Sequence, residues 1–151
     1  MKFIALIISL ILYPIFSMGQ SYNLELDHST IQVENIDMSV KFYKNVLKLK
    51  ELDTPWPENP MIRFFKIGVN QQLHIAQVDT YGSVKINKVL HLAFTSNNFD
   101  GYLKFLNDQG IRYSNFNEEH NKIQKRPDGV RQIYFQDPDG YWIEVNDAKH
   151  L

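Results

Sequence analysis

The chain has 151 residues, of which 44% are hydrophobic, 13% aromatic and 22% charged, and its formal net charge at pH 7 is −1. That length suits one domain with a real core; the composition argues against disorder, and the balanced charge, with no basic stripe, argues against a nucleic-acid surface. There are no cysteines, so disulfides, zinc–thiolate sites and thiol nucleophiles are excluded, and any metal must be held by nitrogen and oxygen.

Lys2 precedes an apolar run from Phe3 to Phe16, broken by Ser9 and Pro14, and Ser17 and Gly19 then flank Met18. This reads as a signal peptide over residues 1–19, because the run falls short of the about 20 apolar residues that a membrane span needs. An uncleaved anchor is the alternative reading. The expected product is exported, periplasmic or secreted, with residues 20–151 as a single domain that keeps no contact with the membrane after cleavage.

Residues 29–33 look like a strand with Ile31 and Val33 on one face. Asn35-Ile36-Asp37 reads as a turn and helix start with Asp37 as the cap. The helix then runs over 38–49, with Val40, Tyr43 and Leu47 on one stripe. Three prolines and Trp56 make 53–60 a loop, and 63–68 and 72–77 are strands joined at Val69-Asn70-Gln71. Residues 79–87 carry few core signals and link this half to the next.

The pattern then restarts. Residues 89–95 form a strand with Leu90, Leu92 and Phe94 on one face; Asn98 caps a helix carrying Phe99, Tyr102, Leu103 and Leu106, and Gly110 stops it. Residues 118–129 are polar and loop-like. Strands follow at 131–136 and 141–145, around the turn Asp137-Pro138-Asp139-Gly140. The order is β-α-β-β twice, with room for one more short strand in each half. His28 and His91 open the first strand of their halves, and Lys41-Phe42 and Lys104-Phe105 recur at the same offset of 63 residues.

Side chains alternate across a strand. Ile31 and Val33 oppose His28; Leu73 and Ile75 oppose His74; Leu92 and Phe94 oppose His91; Ile143 and Val145 oppose Glu144. With the apolar sets packed on the helices, the other face carries three imidazoles and a carboxylate. Neutral imidazole and carboxylate suit one divalent ion, Zn, Ni, Co, Mn or Fe. At any one position a water-facing polar residue is the simpler reading. Of only five histidines, however, three fall in matching places, while His120 and His150 read as solvated.

Several segments together resemble the vicinal oxygen chelate superfamily, which includes glyoxalase I, bleomycin resistance proteins and extradiol dioxygenases. They are Asp27-His28 through Val33, Ser39 through Tyr43, Leu73-His74-Ile75, Leu90-His91-Leu92 and Phe135 through Glu144, with its Asp-Pro-Asp-Gly turn. The resemblance implies an α+β fold of two βαβββ modules, approximately 25–80 and 86–147, forming a curved mixed sheet, an open cup with helices on its convex side. It places metal ligands at His28, His74, His91 and Glu144. Where glyoxalase I has a glutamate this chain has His74, which leaves Glu144 as the catalytic carboxylate base. The implied function is a glyoxalase-I-like lyase or isomerase acting on a small vicinal-oxygen substrate by Lewis-acid stabilisation of an enediolate. The set His28, His91 and Glu144 also resembles the iron site of extradiol dioxygenases, and a non-catalytic binder of small molecules or metal complexes is the third reading. Two modules allow a self-contained cup or a homodimer. Arg63 and Arg131 are candidates to hold a substrate anion, and Trp56, Tyr134 and Trp142 to wall the cup; surface charge and core packing are their plainer readings.

Overall fold

The computed structural model describes residues 24–79, 82 and 86–149. The expected leader over 1–19, and His150, lie outside them. The first half is β1 (His28–Val33), α1 (Ile36–Asn45), β2 (Lys50–Leu52), β3 (Ile62–Lys66) and β4 (Gln72–Gln77). The second is β5 (His91–Thr95), α2 (Phe99–Asp108), β6 (Gln124–Lys125), β7 (Arg131–Gln136) and β8 (Trp142–Asn146). Each half is βαβββ, and each builds its own open four-stranded sheet, in the orders β1-β4-β3-β2 and β5-β8-β7-β6. In both, the first strand pairs in parallel with the last and the other pairings are antiparallel.

Local chemistry sets the helix ends. Asn35, not Asp37, caps α1: its side chain accepts from the Met38 amide, which starts the helix before the predicted boundary. The helix also stops early. Lys48 adopts a left-handed conformation (φ 55), and the Leu49 amide reaches back to the Tyr43 carbonyl at 3.0 Å, a Schellman-type end that needs no glycine here. Asn98 caps α2 as expected, and Gly110 follows it at φ 67.

Strand phase sorts the faces as the alternation requires. Val33, Tyr43, Phe65, Leu73 and Ile75 are fully buried between α1 and the first sheet; Leu106, Ile133 and Ile143 are fully buried beneath α2. Full burial of each such side chain stabilises the fold by about 1.5–3 kcal/mol. Phe42, Leu47 and Leu92 pack against both cores and join them. Leu90 departs from the expected face: it is 71% exposed. A turn closed by its amide on the Asn87 carbonyl delays β5 until His91.

The Asp-Pro-Asp-Gly turn between β7 and β8 bolts one half to the other. The Tyr43 hydroxyl donates to Asp137 Oδ2 at 2.7 Å, the Ser39 hydroxyl donates to Asp139 Oδ2 at 2.7 Å, and the Glu34 amide donates to Asp139 Oδ1 at 2.7 Å. Burial pushes the Asp137 carboxyl above its ordinary range, and the Tyr43 hydrogen bond opposes that shift. Tyr43→Phe is therefore expected to cost about 1–3 kcal/mol near neutral pH. Because Asp137 titrates higher when folded, its protonated form stabilises the fold at low pH, and this contribution is lost as pH rises through the raised value. Removing the Tyr43 donor raises that value further, so the penalty shrinks below about pH 4. Urea denaturation at pH 4 and pH 7 checks this; an equal loss at both would refute it.

Candidate metal centre

Parallel pairing of the first and last strand in each half places one ligand-type residue beside another. In the first half, β1 and β4 run with Thr30 opposite His74, and the rings of His28 and His74 stack with centroids 4.2 Å apart and planes at 14°. His28 Nδ1 is bonded to Asp27 Oδ2 at 2.6 Å, which leaves its Nε2 as the outward nitrogen. His74 Nε2 is bonded to Gln72 Oε1 at 3.0 Å, so Nδ1 is the nitrogen left to ligate. Burial, and then the neighbouring His28, hold His74 below the ordinary imidazole range. It is thereby kept in the neutral form that a metal requires. Phe64 covers the other side of His74 at 4.2 Å, and Trp56 lies on Phe64 at 5.9 Å.

In the second half, β5 and β8 pair with Ala93 opposite Glu144. His91 Nδ1 meets the Lys88 carbonyl at 2.8 Å, and a carbonyl only accepts, so Nδ1 carries the proton and Nε2 presents a lone pair. That Nε2 lies 3.4 Å from Glu144 Oε2. A lone pair facing a carboxylate oxygen is repulsive unless a cation or a proton lies between them. Glu144 is only 6% exposed and both its oxygens are held: Tyr134 donates to Oε2 at 2.6 Å and the Asn146 amide to Oε1 at 2.7 Å. The Gln132 amide supports the Tyr134 hydroxyl at 2.7 Å. Burial, then Glu144, push the Tyr134 hydroxyl well above its ordinary range, so it stays a donor. These are the orienting partners that metal ligands require, and the nitrogen–oxygen donor set fits a divalent ion.

The structure thus brings the four sequence-derived residues together as two pairs, His28 with His74 and His91 with Glu144. Among the described residues no three His, Asp or Glu side chains gather as one metal cluster. Arg63 and Arg131 are occupied: Arg63 pairs with Glu51, and Arg131 with Asp147 and Asp100. Of the candidate walls, Tyr134 instead positions Glu144, and Trp142 flanks an apolar groove with His91. His120 is exposed and bridges to Ser114. Sequence reasoning missed Gln132, Asn146 and Lys88. The first two were legible in phase, since Gln132 and Tyr134 alternate opposite Asn146 and Glu144.

The profile of the Glyoxalase/Bleomycin resistance protein/Dioxygenase superfamily matches residues 25–145. Metallothiol transferase FosB of Staphylococcus saprophyticus is 29% identical over 131 residues, covering 80% of this chain and 75% of that protein. Protein YwbC of Bacillus subtilis is 28% identical over 123 residues, covering 79% of this chain and 94% of its own. Among solved structures, a glyoxalase/dioxygenase from Nostoc punctiforme aligns with a TM-score of 0.68 at 20% identity, over 87% of this chain and all of that one; this likeness speaks for the fold alone.

Proposed function

The chain belongs to the Glyoxalase/Bleomycin resistance protein/Dioxygenase superfamily, and on that premise we propose that it is a metal-dependent lyase or isomerase acting on a small molecule with two adjacent oxygens. The observation that carries the reading is the unprotonated His91 Nε2 held opposite Glu144 Oε2 at 3.4 Å, with every other polar atom of the pair already bonded. His91 and Glu144 supply one side of the site, and His28 and His74 the other. The ion, when bound, supplies Lewis acidity toward the substrate oxygens. Glu144 takes the proton from the adjacent substrate carbon and returns it, while Tyr134 and Asn146 keep its carboxylate in one orientation. The name of the FosB relative, a metallothiol transferase, is in keeping with a metal at this centre.

The site is completed by a second copy of the chain. Each pair of ligands sits beside an outer strand, β1 or β5, of its own sheet, and the pairs do not gather within one chain. In this reading His28 and His74 of one copy face the partner subunit's His91 and Glu144. The working form is the exported chain, residues 20–151.

One observation favours a second reading. His74 replaces a carboxylate, and its Nε2 is already bonded to Gln72. His28, His91 and Glu144 alone would make the two-histidine, one-carboxylate set of an iron dioxygenase. Metal analysis of protein purified without added metal tests both. One nickel, zinc or cobalt ion per chain, with isomerisation of hydroxy-carbonyl compounds and no oxygen uptake, is the expected result. Iron with oxygen uptake on catechols establishes the second reading, and a chain that binds no divalent ion overturns both.

A further inference from the structure

Lys88 is the most deeply buried cation described. Its residue is 6% exposed, and its ammonium lies over the faces of Trp142 at 4.3 Å and Tyr134 at 5.7 Å. It donates to the carbonyls of Asn115 and Phe116 at 3.2 Å each, and to the Ser114 hydroxyl at a longer 3.4 Å. Its ion-pair partner is Glu118, at 3.8 Å, whose side chain is 73% exposed. The hydrogen bonds are therefore met, but the charge is offset by one distant carboxylate that water screens. Carrying a charge into a protein interior on those terms is expensive. Three neutral acceptors do not need an ammonium that closely ringed by aromatics, and a shorter polar side chain from the same turn would tie down 114–116 at less cost.

The surroundings give that charge a use. Lys88, Asn87, Phe116, Glu118, Gln136 and Trp142 line a cleft of about 780 Å³, large enough for a small organic molecule. Asn87 and Gln136 bring amide groups to its walls, and Phe116 and Trp142 bring rings. Trp142 is also the strand neighbour of His91 and flanks the apolar groove that His91 lines. One side chain thus separates the cleft from the metal-binding imidazole, and the carbonyl of Lys88 itself fixes His91.

We propose that the Lys88 cleft is the anion subsite of this protein, and that its substrate is a small acid: a carboxylate, phosphate or phosphonate at one end, held by Lys88, and two adjacent oxygens at the other, presented to the metal. The inference rests on the metal-centre reading for the second half of that description and on the cleft alone for the first. The anion displaces Glu118 and the long Ser114 contact, and gains the ammonium, a Gln136 or Asn87 amide, and the low-polarity shelter of two rings. Glu118 keeps the empty cleft closed to weakly bound anions. It is the feature that makes the idea testable without disturbing the core.

The experiment is titration of metal-free protein, at constant ionic strength, with inorganic phosphate and separately with acetate. Trp142 fluorescence is read in a Trp56→Phe background, so that the ring over Lys88 gives the signal. A saturable change is expected with at least one anion, and the tighter of the two assigns the headgroup class. Glu118→Gln removes the competing carboxylate at an exposed position and should tighten binding roughly threefold. Lys88→Met should weaken it at least about tenfold, with Lys88→Arg restoring most of the loss. No saturable change with either anion overturns the proposal. So does an affinity unmoved by Glu118→Gln, even if Lys88→Met unfolds the chain, because that pattern describes a lysine that only fastens the 114–118 segment. Metal content is measured separately on the parent protein: anion binding without metal uptake would sink the metal-centre reading and leave the subsite standing, and the converse result would do the reverse.

Discussion

His91→Ala and Glu144→Gln are each expected to lower the affinity for the divalent ion by roughly 100-fold or more, while Tyr134→Phe and Asn146→Ala lower it by about 10–100-fold. The order follows from how the pair is held. His91 loses a ligating nitrogen outright. Glu144→Gln keeps the shape and the Tyr134 hydrogen bond to its remaining oxygen, but removes the negative charge. Glutamine is the better test than alanine, because Glu144→Ala leaves the Tyr134 hydroxyl and the Asn146 amide unpaired in a buried site, a stability cost of about 1–3 kcal/mol that would blur the result. Tyr134→Phe removes only the 2.6 Å donor to Oε2, so the carboxylate remains charged but is free to rotate. Chelator competition with the purified variants reads all four. Full metal content in both His91→Ala and Glu144→Gln would show that the ion, if any, is held elsewhere.

How much of this was legible beforehand depends on the range of the interaction. Strand phase is local. The alternation of Leu73, His74 and Ile75, or of Ile143, Glu144 and Val145, sorts a polar side chain to one face wherever the strand goes, and the structure buries the apolar partners fully or nearly so. The βαβββ order and the Asn98 cap were readable for the same reason. Exceptions arise where a single backbone choice overrides the pattern. The left-handed Lys48 ends α1 with no glycine to announce it, and the turn at Asn87 leaves Leu90 in solvent although its phase matches the core. Long-range pairing was not legible. No spacing says that Tyr43 will meet Asp137, that Arg131 will be neutralised by two aspartates, or that Lys88 will turn inward beneath Trp142. Grouping of the ligands lies at the same limit. Phase puts four side chains on like faces, and only the packing of the halves decides which of them touch.

That packing leads to the sharpest expectation. A chain carrying His28→Ala with His74→Ala, and a chain carrying His91→Ala with Glu144→Gln, should each purify almost free of metal; co-expressed and isolated as a mixed dimer, they should recover one ion. The arithmetic is that of a two-fold assembly. If each site takes its first pair from one copy and its second pair from the other, a mixed dimer holds one site with both pairs damaged and one with both intact. If each chain instead closed its own cup, every site in the mixture would keep a damaged pair and no metal would return. The geometry argues for the first case. The helices, the joined cores and the Asp137–Asp139 turn already fix one half against the other, so bringing His28 to His91 within one chain would mean breaking that interface, including the buried Tyr43–Asp137 bond. A second copy asks for no such rearrangement; it needs only to cover the ligand-bearing faces that the fold leaves open, where Trp56 and Leu90 now stand exposed. Metal analysis of the doubly tagged mixed dimer decides the matter, and a mixed dimer as empty as its parents would place the complete site within a single chain.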